Sequence, residues 1–187
     1  MQRRSAPGKE TAEGMEAPVQ GISLSTSQGR LTAFGNQLIE VHIALREDLA
    51  ALRESVEAHL AGGVRPRRLQ AHCLAFCSTL NGHHTGEDDG AFRELAERFP
   101  ELRPVLEELS RDHRLVEDCL RRLETLVGGL EQGADPREVQ LELDTLAALM
   151  ETHFTYEEKR LVAALNSLDI PDWDLSPPAF LHKDTAR

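Results

Sequence analysis

The chain has 187 residues and a formal net charge of −11, with 40% hydrophobic but only 4% aromatic residues. That length allows one domain with a substantial core, and abundant Leu, Ala and Glu beside so few aromatics favours helices over sheet. Acidic charge spread along the chain disfavours a nucleic-acid partner, and with neither an apolar run of membrane-spanning length nor a signal-peptide core the expectation is a cytoplasmic protein with no membrane partner.

Residues 1–29, rich in Gly, Ser, Pro and Gln, carry no periodic apolar pattern and read as a flexible N-terminal segment. From about residue 31, Phe34, Leu38, His42, Leu45, Leu49, Leu52 and Val56 recur at helical spacing and predict a first long helix, ended by Gly62-Gly63. A second helix, with Pro66 in its first turn, carries Leu69, Cys73, Phe76, Leu80, His83 and Glu87. Asp89-Gly90 is expected to break it, and a short connecting helix follows over 91–98. Val105, Leu109, His113, Val116, Leu120 and Leu123 predict a third long helix, stopped at Gly128-Gly129. Asp135-Pro136-Arg137-Glu138 opens the fourth: a capping Asp, Pro at the first helical position and Glu three residues after the cap. Its stripe runs through Val139, Leu143, Leu146, Met150, His153, Glu157 and Leu161. Residues 167–187 read as an irregular C-terminal tail. Four long amphipathic helices on short connections predict an all-α, up-and-down four-helix bundle over residues 30–166.

Chemistry concentrates in two copies of His-x-x-x-Glu, His83 to Glu87 and His153 to Glu157, each preceded one helix earlier by a lone histidine, His42 or His113. At about 100° per residue, the His and Glu of each copy lie about 40° apart on the apolar stripe of their helix. Counted from the turns joining the helices, His42 and His83 sit at depths differing by about 3 Å, and His113 and His153 match about as closely. All six therefore point into one level of the bundle. Burying them without compensation would cost more than a domain of this size can spare. Four imidazoles and two carboxylates able to bridge suit two octahedral ions of iron or manganese better than one four-coordinate zinc. A bridging oxo or hydroxo group and an exogenous ligand would complete the coordination.

Around these six, His84 and Tyr156 lie about 60° off the inward direction of their helices and are candidates for a further ligand or a partner behind the ligands. Asp88 is read as peripheral. Glu158, turned about 140° from His153, is read as solvated, with its removal expected to leave metal content unchanged. Cys73, Cys77 and Cys119, an odd number within helical patterns, indicate buried thiols, not a disulfide framework.

The order His42, His83-x-x-x-Glu87, His113, His153-x-x-x-Glu157 resembles the haemerythrin-like (HHE cation-binding) family over about residues 31–165. The resemblance implies a haemerythrin-like bundle around a non-haem diiron centre that binds O2, peroxide or nitric oxide, for sensing or detoxification. Iron storage or iron sensing without turnover, or a catalase-like or peroxidase activity, are the alternatives. Oxygen-carrying members place a further histidine one turn after the third-helix ligand, where this chain has Glu117. One ion would then lack an imidazole, which argues against simple reversible oxygen carriage; Glu117 is a candidate ligand, a hydrogen-bond partner behind the ligands, or a solvent-facing residue. No nucleophile triad, dinucleotide glycine fingerprint or phosphate loop indicates a separate substrate domain.

Overall fold

A computed structural model describes residues 33–62, 66–133, 135–170, 173 and 176–182; the segment 1–29 lies outside them. The architecture is the expected one. Helix α1 spans Phe34–Leu60, α2 Pro66–Gly86, α3 Phe92–Arg98, α4 Arg103–Gly129 and α5 Pro136–Asn166. The long helices pack in a ring, α1 against α2 and α5, α4 against α2 and α5. Among the described residues, no helix is long and apolar enough to cross a membrane.

The helix ends follow local chemistry. Asp135 caps α5 by accepting a hydrogen bond from the Arg137 amide at 2.9 Å. After α1, Gly62 takes φ +82°, and its amide and that of Ala61 donate back to His59 and Glu57. The third long helix ends at Gly129 as expected, and a 3-10 turn, Leu130–Gln132, carries the chain on to Gly133, which turns it at φ +93°. One expectation fails: Asp89-Gly90 does not break the second helix. A π turn, Glu87–Ala91, joins α2 to α3 so that residues 66–98 form one uninterrupted rod. Such wide turns often mark functional sites, and this one begins at a motif residue.

The core has two apolar layers. One, nearer the α1–α2 turn, includes Leu52, Leu69, Phe76, Leu80, Leu123, Leu143 and Leu146, all fully buried. The other, at the opposite end, includes Phe34, Leu38, Leu95, Leu109, Leu161 and Leu165. Each buried Leu or Phe contributes about 1.5–3 kcal/mol of transfer free energy, so both ends of the bundle are held independently of what lies between them.

The tail is not wholly irregular. Ala179–Leu181 forms a 3-10 turn packed on α1 and α2. Phe180 is fully buried in the second apolar layer, and Trp173 makes edge contacts with both Phe34 and Phe180 at 5.1 and 5.5 Å between ring centroids.

Candidate metal centre

Between the two apolar layers lies a polar one. His42, His83, His84, Glu87, His113, His153 and Glu157 are all buried there, none more than 5% exposed. They come from all four long rods, which is why no single stretch of sequence contains the site. The donor atoms of His42, His83 and Glu87 lie within 4.8 Å of one another, as do those of His84, Glu87, His113 and His153. Glu87 reaches His83 Nε2 with one oxygen, at 3.2 Å, and His113 Nε2 with the other, at 3.4 Å. Glu157 Oε2 lies 3.4 Å from His42 Nε2 and 3.6 Å from His153 Nε2. Each carboxylate therefore stands between an imidazole of one group and an imidazole of the other.

The outer nitrogens are held from behind. His42 Nδ1 lies 2.9 Å from Glu158 Oε1, His113 Nδ1 3.0 Å from Asp88 Oδ2, and His83 Nδ1 2.9 Å from the Phe180 carbonyl oxygen. His153 Nδ1 has Asp112 at 3.7 Å. The two halves of the bundle repeat one device. Consecutive acidic residues grip both sides of a histidine on a neighbouring helix, Glu157 and Glu158 on His42, Glu87 and Asp88 on His113. Glu158 also accepts from Arg46 at 3.0 Å, and Asp88 from the Ser110 hydroxyl at 2.5 Å. Hydrogen bonds from His113 and Ser110 outweigh partial burial and keep Asp88 below its usual range; for Glu158 the His42 bond and then Arg46 do the same.

Because the acceptors bonded to His42, His83 and His113 are carboxylates or a carbonyl, they hold a ring proton at Nδ1, so that in the neutral ring Nε2 is a lone pair aimed inward. His42 Nε2 and His83 Nε2 then face each other at 3.1 Å, acceptor against acceptor. His84 Nε2, His113 Nε2, both His153 ring nitrogens and all four oxygens of Glu87 and Glu157 are buried without a hydrogen-bond partner. Burial resists charging His42, His83, His84 and His153, and ionising Glu87 and Glu157. It holds His83 and His84 well below the ordinary histidine value, lowers His42 and takes His153 to about 3, while pushing Glu87 well up and Glu157 to about 8. Seven converging side chains with acceptors and almost no donors are what bound cations satisfy.

A model of the hemerythrin HHE cation binding domain matches residues 35–165 of the chain. The chain belongs to that family. No curated protein and no solved structure matches it. A hemerythrin HHE domain is a metal-binding one, and the buried layer has the donor set that binding requires.

The six motif residues converge as expected, and His84 joins them: its ring stacks on His113 at 4.2 Å with 8° between planes and meets His153 edge-on at 5.1 Å. Glu117 does not converge with them; it lies one turn beyond His113 on α4 but is exposed, outside the buried layer. Tyr156 points to the surface and donates to Glu108 at 2.8 Å. Glu158 is not a solvated residue; the direction that carries it away from His153 carries it to His42 on the neighbouring helix. Its role, and that of Asp88, had a signal: each directly follows the Glu of its motif. Asp112 and the Phe180 carbonyl had none.

Proposed function

We propose that this hemerythrin-family bundle holds two iron ions and binds O2, peroxide or nitric oxide, for sensing or detoxification. His42 and His83 would hold one ion, His84, His113 and His153 the other, and Glu87 and Glu157 would serve both. The observation that carries this reading is the pair of buried carboxylates, each within 3.6 Å of imidazoles from both groups and without a hydrogen-bond donor. Seven donors exceed what one four-coordinate zinc takes and suit two ions of higher coordination number. His84 supplies the imidazole that Glu117 does not.

Iron held there would supply one- or two-electron exchange with a small ligand. The chain does the rest. Asp88, Glu158 and the Phe180 carbonyl keep the Nδ1 protons outward and the Nε2 lone pairs inward. Phe154, stacked on His42 at 3.8 Å, and Phe92, stacked on His113 at 5.4 Å, wall the layer and exclude bulk water.

The test is iron content after anaerobic reconstitution with ferrous iron, followed by additions of oxygen, nitric oxide and peroxide monitored by absorption. About two irons per chain and ligand-dependent spectra are expected; less than one iron per chain would overturn the proposal. Sustained peroxide disproportionation would make the protein an enzyme, whereas a stable adduct without turnover favours sensing. Iron retention with no response to any of the three ligands would leave storage or iron sensing in its place.

A further inference from the structure

Four histidines of the polar layer have an outer partner, and one partner is unlike the rest. Glu158, Asp88 and Asp112 are carboxylates on the bundle's own rods. The partner of His83 is a neutral main-chain carbonyl, that of Phe180, on the turn Ala179–Leu181. That turn lies beyond residue 165, where the hemerythrin match ends. The strap is seated by side chains. Phe180 is fully buried and Leu181 6% exposed, both in the apolar layer that holds Phe34 and Leu38, and Trp173 bridges Phe34 and Phe180. Within the strap, Leu181 N donates to Pro178 O at 3.0 Å.

We propose that this C-terminal strap is a working part of the metal centre: the Phe180 carbonyl is a positioning group for His83, and strap seating and metal occupancy reinforce each other. A carbonyl oxygen only accepts, so at 2.9 Å from Nδ1 it fixes the proton there and keeps Nε2 free to ligate. Without it the ring can rotate or carry its proton on Nε2, and a ligand is lost. The backbone that carries the other outer partners cannot leave without unwinding a helical rod. The strap can, because its apolar anchors, not a helix, hold it in place. By linkage, whatever factor strap seating adds to metal affinity, metal binding adds to strap seating. A change at the metal can thereby be passed to the surface, where an unseated strap uncovers the apolar end of α1 and α2.

The inference rests on metal binding by the layer, and the experiment separates the two. Full-length protein is loaded with zinc, which does not quench fluorescence, and its release to a chromogenic chelator is timed. Phe180→Ala should speed release about tenfold to a hundredfold, the usual cost of losing a partner behind a metal ligand, and Phe180→Leu should restore most of the loss. Leu123→Ala, in the opposite apolar layer, serves as the control for general destabilisation. Trp173, the one tryptophan of the chain, reports the strap: adding zinc to metal-free protein should shift its emission in proportion to occupancy. Unchanged release from Phe180→Ala, equal acceleration by Leu123→Ala, or emission indifferent to zinc would each overturn the role of the strap. Failure of the unaltered protein to retain zinc or ferrous iron would overturn the metal reading itself.

Discussion

Removing the metal should give the protein a stability that falls on both sides of a maximum near pH 6.5, because the buried layer holds two kinds of group whose charging opposes folding in opposite directions. Burial raises Glu87 well above the ordinary carboxyl value of 4.5 and Glu157 to about 8. As pH rises above 4.5 the unfolded chain releases these two protons while the native state retains them, so stability is lost until pH passes the folded values. Burial acts in the other sense on the imidazoles, lowering His42, His83 and His84 and taking His153 from 6.5 to about 3. Below 6.5 the unfolded chain takes up protons that the native state refuses, and stability is lost as pH falls. The four imidazoles outnumber the two carboxyls below 6.5, and above it only the carboxyls act. At about 1.4 kcal/mol per pH unit for one proton, two carboxyls give a decline of about 1 to 3 kcal/mol per unit between about pH 6.5 and about pH 8. Urea unfolding of chelator-stripped protein across that range, followed by circular dichroism, measures it. Bound metal, which needs the carboxylates ionised, should abolish the alkaline decline. Metal-free stability that stays level or rises from about pH 6.5 to about pH 8 would refute the buried-carboxyl reasoning.

Four substitutions extend the test. Asp88→Ala and Glu158→Ala each remove the acceptor behind a ligating imidazole and should weaken metal binding about tenfold to a hundredfold, measured by competition with a chelator. Glu117→His should leave metal content and the lifetime of any oxygen adduct unaltered, because position 117 is solvent-exposed, outside the buried layer. Gly35→Ala should destabilise the bundle by about 1–3 kcal/mol in thermal or urea unfolding, since a Cβ there would stand 2.5 Å from the Val162 carbonyl oxygen and 2.9 Å from Val162 Cα on α5.

Much of the site could be read in advance because a helix converts sequence spacing into direction and depth. Four residues place Glu87 and Glu157 on the same face as His83 and His153, and equal counts from the turns place His42 level with His83, now seen 3.1 Å apart at Nε2. The capping chemistry at Asp135 was equally local and equally legible. Glycine was the weaker guide. Asp89-Gly90 looked like a break, but the buried Glu87, Ala91 and Phe92 on either side keep the chain helical, and a propensity cost of about 1 kcal/mol is easily outweighed by one buried apolar side chain.

By itself, then, the sequence determined the four helices, their apolar stripes and the inward ring of His42, His83, Glu87, His113, His153 and Glu157, since all of these follow from period and spacing within single helices. Only the tertiary structure decided what those helices meet. A residue judged by its own helix alone is assigned a side, not a neighbour: Glu158 leaves the face of His153 and arrives at His42, and His84 leaves the centre of its stripe and arrives against His113. The need for glycine at position 35 is visible only against Val162, and the tail's part in holding His83 only against a carbonyl 97 residues away in sequence. Contacts between elements depend on rotation and separation of whole helices, which the apolar layers set jointly and no one stretch of the chain encodes.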